Sequence, residues 1–173
     1  MKHKSLLLYS WFVRTLLYFL PDIPFIMRFR GWLYSLGMAS CGKNFQVTHS
    51  AILNGLDNMF VGKDVYIANF GNFICNDPIY IGDGVLFGPS VVMSSGNHVF
   101  DGIDFRSKVH REKISIGDGC WIAAHVTIIS GSVIPSKSLI AAGALVTKKS
   151  CCGESCGVFG GVPAKFIRKH YDA

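Results

Sequence analysis

The chain has 173 residues, a formal charge of +6 and an apolar fraction of 50%. That length suits one ordinary domain with a real core, and the apolar content excludes a disordered chain. The charge favours anionic partners, but no basic–aromatic surface motif accompanies it, so nucleic acid is not an expected partner.

The first predicted element is an apolar helical segment over 1–40. Its stretch "SLLLYSWFVRTLLYFLP" is interrupted by Arg14 and ended by Pro21, short of the ~20 apolar residues that cross a bilayer. No small-x-small cleavage site follows the opening "MKHK" and its leucines, so a secretory signal is not expected. Lys2, Lys4, Arg14, Arg28 and Arg30 punctuate the segment. It suits either a helix lying in an anionic membrane interface or one packed on the protein's own body or a neighbouring subunit. Both readings go with a cytoplasmic protein, free or peripheral at the inner face of the membrane.

From 41 to 150 a strict beat takes over. Every sixth residue from Ile116 is Ile116, Ile122, Ile128, Ile134, Ile140 and Val146. The same beat runs earlier as Val61, Ile67 and Phe73, then as Ile81, Phe87 and Met93. Four places after the first five isoleucines come slender residues: Cys120, Val126, Ser132, Ser138 and Ala144. A helix repeats every 3.6 residues and a half-buried strand every two, so a sustained six marks a repeat architecture. Six residues make a short strand and a corner, and three such units make one triangular turn. Successive turns stack as parallel strands ~4.8 Å apart. The large aliphatic fills the prism, and "GKD", "GNF" and "GDG" supply corners that tolerate positive φ.

The beat slips between Phe73 and Ile81 and stops at His98, resuming near Ile114. The interruption, "NHVFDGIDFRSKVHREK", predicts a polar loop over about 98–113. A loop longer than ~12 residues within a compact repeat is usually functional.

Six cysteines are present, with no C-x2-C pair among them. Neither a zinc site nor a disulfide framework is expected, so no metal is assigned. Cys120 falls in a slender inward position. Cys151, Cys152 and Cys156 receive no role.

The stretches "IGDGCWIAAHVTIISGSVIPSKSLIAAGALVTKK" and "GGVPAKFIRK" resemble the hexapeptide-repeat acyltransferases, especially sugar O-acetyltransferases of the galactoside and maltose type. The resemblance runs from about Val61 to Lys169 and leaves out the first forty residues. It implies an all-β fold: a left-handed parallel β-helix with a protruding loop, an N-terminal helical segment and a closing segment over 151–173 with a short C-terminal helix.

It also implies an acetyl-CoA-dependent transfer to a saccharide hydroxyl, in surface polysaccharide or lipid-linked precursor synthesis. His98 at the loop's start would be the catalytic base, since an imidazole titrating near neutrality can take a hydroxyl proton. Trp121, Ala124, Ala142, Thr147, Lys148, Lys165 and Arg168 would meet the acetyl-CoA, the last two at its phosphates. Asn69, Asn72 and Asp77 would meet the acceptor, offering donors and acceptors to a polyhydroxyl ligand. The family's shape further implies a homotrimer with sites between subunits. The rival readings are an antibiotic O-acetyltransferase and a non-catalytic trimeric scaffold.

Overall fold

The computed structural model describes residues 2–151 and 156–170; Cys152 and the rest of the closing segment at 153–155 and 171–173 lie outside them. Within the described residues the six-residue beat becomes geometry directly. Each unit supplies a short strand and a corner, three units complete a coil, and strands one coil apart pair in parallel.

Face 1 stacks Ser40–Cys41, Met59–Val61, Ile79–Ile81, Ile114–Ile116 and Val133–Ile134. Face 2 stacks Gln46–Val47, Tyr66–Ile67, Leu86–Phe87, Trp121–Ile122, Leu139–Ile140 and Gly157–Gly160. Face 3 stacks Ile52–Asn54, Asn72–Ile74, Val92–Ser94, Thr127–Ile129 and Leu145–Val146. The beat residues pair in register: Ile67 with Phe87, Ile122 with Ile140, Phe73 with Met93, Ile116 with Ile134.

All twelve beat residues named from the sequence are at most 4% exposed. The slender residues behave as an inner lining near the corners. Ser132 and Ser138 are buried, and their hydroxyls donate to the carbonyls of Ile129 and Pro135 at 2.6 and 2.7 Å. Both therefore avoid the cost of an unsatisfied buried hydroxyl. The Cys120 thiol donates to the Pro135 carbonyl at 3.1 Å, and burial pushes its pKa up, which makes it a core thiol.

At the 1–2 corner Asn44, Asp64, Gly84, Gly119 and Lys137 take positive φ, and all but Lys137 are residue types that favour it. There the carboxylates of Asp83 and Asp118 each accept the backbone N–H of the coil before, from Lys63 and Asp83. At the 2–3 corner the positive φ falls on Phe70, Ser90, His125 and Gly143, and Phe70 and Ser90 are types that rarely adopt it. The stacked coils impose the conformation there.

The phase slip has a simple cause. The 3–1 corner is two residues wider in the early coils, and Leu56, Met59 and Ile79, all fully buried, fill it. The loop leaves from that same corner one coil later. It is an ordered antiparallel hairpin, Gly96–Val99 with Lys108–Arg111, beginning two residues before the expected loop.

Helices α1 (Lys2–Leu16) and α2 (Pro24–Ser35) close the N-terminal end of the prism. α1 packs on Ile52–Asn54 and the turn Leu56–Asn58, and α2 packs on Gln46–Val47. The Ser10 hydroxyl donates to the Leu53 carbonyl, and the Tyr9 hydroxyl donates to the Leu33 carbonyl at 2.7 Å. Gly31 permits the close approach of α2, because a Cβ there would lie 2.0 Å from the Phe45 carbonyl oxygen.

At the other end the expectation of a short helix is corrected. Lys165–Lys169 is a strand, antiparallel to Gly157–Gly160. The last coil leaves an open sheet edge on face 2, and backbone pairing satisfies it. Phe166 adds an edge-on contact with Phe159 at 5.7 Å, anchoring the strand to the core.

Candidate functional site

His98 stands on the first strand of the hairpin, exposed, opposite Val109. Its Nδ1 lies 2.8 Å from the Phe105 carbonyl oxygen. A carbonyl can only accept, so Nδ1 carries the proton and Nε2 keeps its lone pair. The hairpin tip is shaped to hold that carbonyl. The Asp101 carboxylate accepts the backbone N–H groups of Ile103 and Asp104 at 2.9 Å, and Phe100 packs against Phe105 at 5.4 Å. The His98 ring is thus held in one orientation by the hairpin's own tip, with Nδ1 the nitrogen engaged. His110, lower on the hairpin, turns instead to Glu112 at 3.4 Å. Glu112 also accepts from Lys148, and these two partners hold its carboxyl below the usual range.

A second assembly lies along the 2–3 corner, and the sequence did not reveal it. Asp22, between the two helices, reaches the first coils. Its carboxylate accepts the His49 ring nitrogen at 2.7 Å, the His49 backbone N–H at 2.8 Å and the Asn69 amide at 3.2 Å. Arg30 approaches from behind at 2.9 Å and is fully buried. The same guanidinium donates to the carbonyls of Val47, Leu17 and Leu20, bolting both helices to the first coil. Burial would raise the Asp22 pKa, but the hydrogen bonds from His49 and Asn69 outweigh it and hold the carboxyl below its ordinary value. The result is a partly open, ionised carboxylate beside an amide. One signal was available: Asp22 is the only acidic residue before Asp57.

The corner continues along the prism axis. Asn69 and Trp121 line one groove of about 540 Å³ on face 2, and Trp121 is 52% exposed. Ala124 and Ala142 follow at the same corner in successive coils, linked by the Gly143 N–H donating to the Ala124 carbonyl. The corner there is smooth: Gly143 opens to free space, while Gly88 rests so close to Ala124 that any Cβ would meet its nitrogen at 2.8 Å. A row of small residues beside an exposed indole fits a thin, extended chain such as a pantetheine arm. Lys165 begins the terminal strand just beyond Ala164, whose N–H is held by the Leu145 carbonyl, and Arg168 lies farther along it.

The remaining expected residues stand elsewhere. Thr147 and Lys148 occupy the 3–1 corner of the fifth coil, where Thr147 pairs with Ser150 and Lys148 with Glu112. Asp77 sits at the same corner under the hairpin's base, its N–H donating to the Ser95 hydroxyl. Asn72 is midway, on face 3. One chain therefore collects Asn69, Ala124, Ala142 and Lys165 along one corner, with Trp121 on the face beside it. It holds His98, Thr147, Lys148 and Asp77 along the next, a face away. Five extended residues, roughly 15 Å, separate the two.

Known proteins resemble this chain in architecture and in sequence. Galactoside O-acetyltransferase of Escherichia coli (strain K12) is 34% identical over 141 residues, covering 77% of this chain and 68% of that enzyme. The chain belongs to the hexapeptide-repeat acetyltransferases, the family of that enzyme. The "Probable macrolide acetyltransferase" of Lysinibacillus sphaericus is 29% identical over 119 residues, 66% of this chain and 62% of that protein. A galactoside acetyltransferase structure in complex with coenzyme A superposes with a TM-score of 0.74 at 27% identity, covering 98% of this chain and 84% of that one. A hexapeptide-repeat acetyltransferase from Vibrio cholerae, complexed with acetyl coenzyme A, shares the fold at TM-score 0.81 and 22% identity, covering 98% and 89%. No protein-family model matches the chain. The structural likeness covers 98% of the chain, so it takes in the N-terminal helical segment as well as the coils.

Proposed function

We propose that this acyltransferase uses acetyl-CoA to acetylate a hydroxyl of a saccharide, as a cytoplasmic homotrimer serving surface polysaccharide synthesis. The observation that carries the reading is the oriented His98, with Nδ1 committed to the Phe105 carbonyl and Nε2 free. That nitrogen takes the proton of the acceptor hydroxyl as its oxygen adds to the thioester carbonyl. It returns the proton to sulfur when the carbon–sulfur bond breaks, leaving an acetyl ester and CoA thiol. Such assistance contributes roughly 10²–10⁴-fold, and the rest comes from holding the two substrates together.

Trp121, Ala124 and Ala142 form the wall for the pantetheine arm, and Lys165 and Arg168 take its phosphates. On the acceptor side, Asp22 and Asn69 offer a carboxylate and an amide to neighbouring hydroxyls, with Asn72 and Asp77 completing the polar surface. The split of these residues between two corners supports the trimer. Packing copies about a threefold axis sets the 3–1 corner of one, with His98, Thr147, Lys148 and Asp77, against the 2–3 corner of the next.

The E. coli relative acts on galactosides and the Lysinibacillus relative is named for macrolides. The Asp22–Asn69 pair favours the polyhydroxyl acceptor over the largely apolar one. The test is thiol release from acetyl-CoA across a panel of sugars, glycolipids and macrolides. Turnover with saccharides and none with macrolides is expected; release with macrolides alone overturns the acceptor assignment. Undetectable CoA binding overturns the whole reading.

A further inference from the structure

The outer surfaces of α1 and α2 are unlike the rest of the molecule. α1 buries Ser10, Val13 and Leu17 against the first coil, yet Leu8, Phe12 and Leu16 on its other side are 54–65% exposed. α2 buries Met27, Gly31 and Tyr34, and exposes Phe25, Phe29 and Trp32 at 43–77%. Both exposed sets follow helical spacing and face away from the coils that the inner sides cover. A helix apolar on both sides calls for an apolar environment on its outer side as well.

Charge says what kind. Residues 1–43 hold six Lys or Arg against one acid, a net +5; the other 130 hold eleven against ten, a net +1. The one acid, Asp22, has its charge met by Arg30 and His49 and turns to the first coils, at His49 and Asn69, not to the outer sides of the helices. Arg28 shares a shallow groove with Trp32 and Lys43, and Arg14 shares another with Tyr18 and Phe19. Lys4 precedes Leu8 and Phe12 on the same stripe of α1. Aromatics flanked by cations, without acids, suit a sheet of acyl chains under anionic headgroups. A second copy of this end would meet like charge with no acid to answer it. No helix among the described residues is long and apolar enough to cross a membrane.

We infer that the outer faces of α1 and α2 dock this protein onto an anionic phospholipid bilayer, lying in its interface without crossing it. The inference goes beyond the acyl-transfer reading and stands without it. Docking would present the Asp22–Asn69 corner, which lies beside α1, to saccharides carried at the bilayer surface.

The experiment is cosedimentation of the full chain with vesicles of phosphatidylcholine alone and of phosphatidylcholine with 30% phosphatidylglycerol. Each Lys or Arg near an anionic surface contributes roughly fivefold, so anionic vesicles should bind at least tenfold more tightly. High salt should weaken that binding. The combined variant Phe12→Ser, Phe25→Ser and Trp32→Ser should lose it while keeping its melting temperature, its sedimentation coefficient and its transfer to a soluble acceptor. Equal binding to both vesicle types, or none at millimolar lipid, overturns the inference. So does a variant that changes oligomeric state instead, which would make the face a contact between copies. Neither result touches acetyl transfer in solution, which tests the enzyme reading by itself.

Discussion

The division of the site between two corners leads to a quantitative expectation for mixed oligomers. His98→Ala removes the base and should lower kcat about a hundredfold or more, with acetyl-CoA affinity nearly unchanged. Ala142→Trp fills the smooth stretch of the 2–3 corner, where Ala142 is exposed next to Gly143, and should block the arm of acetyl-CoA. Each homotrimer is then inactive for a different reason. In a random 1:1 mixture, an intact site needs an unaltered His98 from one neighbour and an unaltered Ala142 from the other. Each condition holds half the time, so about a quarter of all sites are complete, and each trimer that holds both variants has one complete site of its three under cyclic symmetry. Co-expressing the two variants with different tags, isolating doubly tagged trimers and measuring CoA release should therefore recover tens of per cent of wild-type turnover. Sites built within single chains would give only the sum of two residual activities, about one per cent. That low value in confirmed mixed trimers would refute the shared cleft.

Other expectations rest on single contacts. Arg30→Met strands a carboxylate and three carbonyls at the helix–coil junction. It should cost about 3–5 kcal/mol, read as a fall in Tm of roughly 6–20 °C at this chain length; a fall under about 3 °C would show that the bolt carries little. Phe73→Ala empties a fully buried position that packs edge-on against Phe87 at 4.9 Å. A loss of about 3–5 kcal/mol in denaturant unfolding is expected. Asn69→Ala should raise the acceptor KM about tenfold and leave the acetyl-CoA KM alone, and steady-state kinetics with each substrate varied will separate the two. Asp22 has a folded pKa below its ordinary value of 3.8, so the folded state holds that proton less tightly than the unfolded chain. Its stabilisation is complete above about pH 4 and fades as pH falls through the lowered value. The Tm gap between wild type and Asp22→Asn should accordingly close on acidification; a gap constant from pH 6 to pH 2.5 would contradict the assignment.

What the chain by itself determined is everything that repeats. A six-residue period places Ile116, Ile122 and Ile128 on three faces of a prism whatever their partners, because each strand pairs with the strand one coil on. The fold, the inward residues and the point where the hairpin departs were therefore legible, and so was His98 as the residue at that departure. Long-range contacts without a period were not. Asp22 meets Asn69 across 47 positions because Arg30 draws the helices onto the first coil, and no local pattern encodes that meeting. Positive φ at Phe70 and Ser90 contradicts residue preference and is imposed by stacked neighbours. The terminal strand formed in place of a helix because an open sheet edge lay beside it. The separation of Trp121 on face 2 from Thr147 at the 3–1 corner was equally hidden. Linear spacing is blind to which corner a residue turns, and only the coiled chain decides which groups can face one another.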